Sequence, residues 1–91
     1  MSELAKLFGK SNIYKFRIEI EGDVKTFDFL EVNHQDNGGV LCQVTNITRD
    51  RQLLIGDCKV IGYRDAGVLK NIRTPFEHEA DIIHATDEFI E

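Results

Sequence analysis

The sequence predicts an all-β domain: a small closed antiparallel barrel of five to six strands in Greek-key order, with at most a short helical turn at its amino terminus. Three observations carry that expectation. Residues 13–20, IYKFRIEI, alternate between apolar and polar side chains at the strand period. Residues 34–39, HQDNGG, concentrate the residue types that reverse a chain. Apolar, β-branched runs recur about every 10–15 residues, and no apolar helical stripe extends beyond about two turns.

The first twelve residues read as an arm or short helix. Leu4, Leu7 and Phe8 follow i, i+3, i+4 spacing, and Gly9 is placed to end a turn. The barrel proper spans 13–91. In its first strand Tyr14, Phe16, Ile18 and Ile20 point inward, and Lys15, Arg17 and Glu19 point outward. EGD at 21–23 supplies a turn, and VKTFDFLEV at 24–32 is expected to return as the second arm of a hairpin, with Phe27 and Phe29 on one face. Asn37-Gly38 suits a tight turn, because both residues tolerate positive φ. GVLCQVTNIT at 39–48 follows, with Val40, Cys42 and Val44 on one face, and RDRQ at 49–52 is a charged connection. CKVIGYR at 58–64, GVLKNIR at 67–73 and DIIHA at 81–85 complete the strands. Gly56 and Gly62 mark places where a strand bends or bulges. Closure is expected because open edges in so small a sheet invite aggregation.

Ninety-one residues, 42% hydrophobic and 30% charged, make one globular domain. No apolar run approaches the roughly 18–20 residues of a membrane span, and the opening MSELAKLFGK lacks the apolar core of a signal peptide. The expected location is the cytoplasm, with no membrane partner. Cys42 and Cys58 lie in apolar stretches without C-x-x-C spacing, which predicts two reduced, buried thiols. A disulfide would require their Cα atoms within about 7 Å. The net charge of −5 is unevenly placed. Residues 44–75 hold six Lys/Arg against three acids, and 76–91 hold six acids and no Lys/Arg. That polarity argues against whole-surface nucleic-acid binding and suits packing between copies.

Catalytic signatures are absent. There is no P-loop, no G-x-S-x-G and no zinc-protease pattern. His34, His78 and His84 form no ligand spacing with the cysteines, so neither a metal nor another cofactor is expected. Asp87-Glu88 reads as an exposed pair rather than an acid–base couple. Aromatic residues beside cations occur twice, at Tyr14 with Lys15 and Arg17 and at Tyr63 with Arg64. Tyr14 is expected in the core with Phe16 and Ile18.

The stretch VIGYRDAGVLKNIRTPFEHEADIIHATDEFI resembles the end of the HAS barrel, the six-stranded domain at the amino terminus of HerA-type DNA translocases. Gly62, Tyr63, Arg64, Gly67 and Leu69 fit the first part of that pattern, Arg73, Pro75 and Phe76 the middle, and Ala85, Asp87, Glu88 and Ile90 the end. GGVLCQVTNIT is similar to an upstream strand of the family. His78-Glu79-Ala80 departs from it, standing where the family carries Pro-Gly. The resemblance implies a non-catalytic module of a hexameric ATPase that pumps duplex DNA during break-end processing. Its implied partners are neighbouring subunits, a NurA-type nuclease, and DNA indirectly through the ring. Tyr63, Arg64, Lys70, Arg73 and Phe76 are the expected interaction residues. Two other classes stand beside it. An autonomous OB- or SH3-like nucleic-acid-binding barrel would place Tyr63, Arg64, Lys70 and Arg73 on one exposed face. A small metal or thiol enzyme would rest on the cysteines and histidines alone.

Overall fold

The computed structural model describes residues 4–77 and 79–85, and these form an antiparallel all-β structure without helices. The strands are β1 (Ala5–Phe8), β2 (Lys15–Ile20), β3 (Phe29–His34), β4 (Gly38–Asp50), β5 (Leu53–Asp65), β6 (Val68–Lys70) and β7 (Ile82–His84). Their spatial order is β1-β2-β5-β4-β3-β7, with β6 paired to β5 beyond the end of β2. Strands β3, β4 and β5 are joined by hairpins, and β2 lies beside β5, which is the Greek-key relation. No helix among the described residues is long and apolar enough to cross a membrane.

The sheet curls around one apolar face. Phe16, Ile18 and Ile20 of β2 meet Leu30 and Val32 of β3 and Val40, Cys42 and Val44 of β4, all buried. Alternation dictates this: these residues occupy every second position of β2, β3 and the first half of β4 and turn inward, with His34 at the last inward position of β3. Gly56 is part of the same close packing, since a Cβ there would sit 3.1 Å from Ile18 Cγ1. Cys42 and Cys58 are free and buried. Removal from water raises both thiol pKa values, that of Cys58 to about 12.

Four expectations are corrected. The barrel is not closed. β1 and β7 terminate the six-strand path and do not hydrogen-bond to each other, leaving an open half-barrel. The amino-terminal helical turn is instead the strand β1, in which Ala5 and Leu7 are buried and Lys6 and Phe8 exposed. The free edge of β2 offers it a full ladder, from Ala5 opposite Ile20 to Phe8 opposite Arg17. β2 and β3 do not form a hairpin, because β2 pairs with β1 and β5. Residues 21–28 cross over instead, turned by Asp28, whose carboxylate accepts from the Lys25 N–H at 2.9 Å. Phe27 is left exposed with φ +74. Tyr14 is not a core residue. It precedes the strand and is 67% exposed.

The chain reverses at 34–39 as expected, but through a three-residue loop, 35–37, with His34 opposite Gly38; positive φ is taken by Gly38 and not by Asn37. Gly62 sits at a bulge, where Leu41 pairs with Gly62 and the next residue, Cys42, pairs with Val60. After β6 the chain crosses one mouth of the half-barrel as a strap, 71–76. Ile72 and Phe76 plug that mouth, and Phe76 meets the rings of Phe16 and His34 edge-on at 5.3 and 5.4 Å.

Candidate interaction surface

The residues singled out by sequence gather on the β5–β6 hairpin and the strap that follows it. The hairpin turns through Ala66 and Gly67, both at positive φ, +53 and +81. That is the two-residue geometry whose twist matches paired strands. Tyr63 then stands opposite Lys70, Arg64 opposite Leu69 and Asp65 opposite Val68. Tyr63 is half-buried against the core cluster. Every residue of β6 is exposed, including Val68 and Leu69 at 57% and 52%. Lys70 Nζ lies 2.9 Å from Asp65 Oδ2, and that carboxylate raises the lysine's pKa by hydrogen bond and by charge. Arg73, exposed on the strap, is near enough to oppose it.

Gly62 makes the hairpin sterically feasible. Its φ is +142, and a Cβ there would lie 2.5 Å from the Lys70 carbonyl oxygen, inside any real carbon–oxygen contact. The glycine lets the β6 backbone approach β5 where a side chain would block it.

Phe76 does not belong to this surface. It is 6% exposed and closes the core, so its part is structural. Its neighbour His34, 2% exposed, is the buried polar residue of the core. The Asp36 N–H donates to His34 Nδ1 at 3.1 Å, so Nε2 carries the proton and donates to the Thr74 carbonyl at 2.8 Å. Gln35 Nε2 donates to the Pro75 carbonyl at 3.1 Å. The strap is thereby tied to the β3–β4 turn. His84, on the edge strand β7, is exposed. His78, Asp87, Glu88 and Ile90 lie outside the described residues.

A second surface escaped sequence reasoning: the seam between β1 and β7. A groove of about 1370 Å³ opens there, with Phe8 and Ile83 exposed beside Glu79 and Asp81. One signal points to it. Leu7-Phe8 and Ile82-Ile83 are apolar doublets in short strands, and a strand turns neighbouring side chains to opposite faces, so one of each pair must face outward. No cluster of three or more His, Cys, Asp or Glu suited to a metal ion occurs among the described residues. No protein-family model matches the chain, and no curated protein is significantly similar to it.

Proposed function

We propose that this domain is a non-catalytic assembly and docking module of a hexameric, HerA-like DNA-translocating ATPase that acts in DNA end processing. One observation carries the reading. The matching residues Gly62, Tyr63, Arg64, Gly67 and Leu69 are gathered in one hairpin, and at Gly62 the residue type is a steric requirement. The uneven charge adds support: a basic middle and an acidic end let one copy meet the next through unlike surfaces, the arrangement that closes rings. In this reading the chain has no activity of its own. It contacts neighbouring subunits and a NurA-type nuclease through Tyr63, Arg64, Lys70 and Arg73, and DNA passes through the ring without being gripped by the hairpin.

The test is co-purification of the domain with a NurA-type nuclease and with a HerA-type ATPase core. A complex that Arg64→Ala with Arg73→Ala weakens supports the proposal. Failure to bind either protein refutes it. Tight, steeply salt-dependent DNA binding that depends on Arg64 and Arg73 would favour the OB- or SH3-like reading instead.

A further inference from the structure

The outer face of β1, β2 and β5 carries an arrangement that folding alone disfavours. Lys15 and Lys59 stand directly opposite each other in the β2–β5 register, and both are exposed. Like charges in that position destabilise a sheet. The chain has sixteen acidic residues and a charge of −5, so a lysine pair here is no by-product of a basic surface. On the next rung Arg17 pairs with Asp57 at 3.2 Å, and Lys10 lines the same groove of about 580 Å³. Four cations therefore share one groove with a single carboxylate.

The groove is also built at its rim. The Asn12 side-chain oxygen accepts from the Tyr14 and Lys15 N–H groups at 2.8 and 2.9 Å, and the Asn12 N–H donates to the Lys15 carbonyl at 3.0 Å. That turn fixes the start of β2 and leaves Tyr14 in solvent. Phe8, opposite Arg17 on β1, lines the groove with 40% of its surface exposed.

We propose that this face binds single-stranded nucleic acid, with Lys10, Lys15 and Lys59 on backbone phosphates and Phe8 stacking on a base. Cations beside an exposed ring are the components of single-strand recognition. A duplex keeps its base faces stacked and offers that ring nothing. The site is separate from the β5–β6 hairpin and does not depend on the translocase reading. Three phosphate contacts predict modest affinity, with a salt slope of about −2 on logarithmic axes.

The experiment uses fluorescein-labelled oligothymidylate, with inorganic polyphosphate and a duplex of equal length as competitors, at low salt. Lys59→Glu is the informative variant, because it replaces a repulsive pair with an attractive one. It is expected to raise the melting temperature while weakening oligothymidylate binding at least tenfold. Phe8→Ala is expected to weaken oligothymidylate binding and leave polyphosphate binding unchanged. Arg64→Ala with Arg73→Ala is expected to leave both unchanged. Wild-type affinity in Lys59→Glu, or a lowered melting temperature, overturns the proposal. So does tighter binding to the duplex, equal loss of both ligands in Phe8→Ala, or loss of binding in the hairpin variant.

Discussion

Gly62→Ala is the sharpest perturbation of the hairpin, because it adds one methyl group and alters no charge. The added Cβ would lie 2.5 Å from the Lys70 carbonyl oxygen and 3.2 Å from Leu69 Cγ. The backbone, at φ +142, is in a region that residues with a Cβ rarely adopt, at a cost of about 1–3 kcal/mol. Two responses can relieve the clash. β5 can straighten, which disturbs its pairing with β4 next to the buried Cys42, or β6 can leave β5. β6 has no buried side chain, so leaving is the cheaper response. The expected result is local opening of residues 63–70 with the remaining sheet intact. Hydrogen exchange measured by NMR should show protection in the hairpin falling roughly tenfold to hundredfold, the equivalent of about 1–3 kcal/mol. Amides of β3 and of its pairing with β4 should change far less. Unchanged exchange across 63–70, together with an unchanged melting temperature, would refute the steric account of Gly62. Gly67→Ala is the control. Its φ is +81 and no atom lies within 4 Å of the added Cβ, so it carries the torsional cost alone.

Further outcomes follow from the same geometry. Ala66 holds φ +53 in the hairpin turn, so Ala66→Asn should stabilise the protein by about 0.5–1 kcal/mol in chemical denaturation, asparagine being better suited to that conformation. Phe76→Ala removes the ring between Phe16 and His34 and should cost about 3–5 kcal/mol, read as a lower denaturation midpoint. His34→Leu should lower the midpoint less than Phe76→Ala, by about 0.5–1.5 kcal/mol for each of the two hydrogen bonds it removes, to the Thr74 carbonyl and from the Asp36 N–H. The thiols give a pH dependence. The pKa of Cys58 is raised by burial from 9.0 to about 12, so below pH 9 it holds its proton in the folded and unfolded chain alike. As pH rises from 9 towards 12 only the unfolded chain releases it, and stability falls by up to about 1.4 kcal/mol per pH unit. Burial raises Cys42 in the same direction, so Cys58→Ala should remove about half of the thiol-dependent slope over that window, and an identical slope would argue against the buried-thiol account.

Faces were legible in the sequence, and neighbours were not. Phe16, Ile18 and Ile20, like Val40, Cys42 and Val44, are buried where alternation places them. Alternation fixes which side of a strand is apolar and carries no information about which strand lies beside it. β2 and β3 are close in sequence and were expected to pair, yet β2 joins β5, whose first five residues, Leu53 to Asp57, do not alternate and gave no strand signal. Residues 4–8 satisfy both a helical and a strand period, and over so few residues the edge of β2 decides between them. Nothing local to Phe76 reveals that the strap carries it back across the mouth of the sheet. The Lys15–Lys59 pair is hidden for a related reason. The two residues are far apart in sequence, and the pair exists only once the β2–β5 register is set.

The strap also sets when the domain can finish folding. Strands β2 to β5 are complete by residue 65, yet Ile72, Phe76 and Ile82, which complete the core, all lie later in the chain. The bond between His34 and Thr74 spans forty residues and closes a loop that contains the β4–β5 and β5–β6 hairpins. A chain that ends at β5 lacks Ile72 and Phe76, and with them the ring that covers Phe16 and His34. Completion of the core therefore waits first for the strap and then for β7, which follows it in the chain and brings Ile82 to the edge of β3.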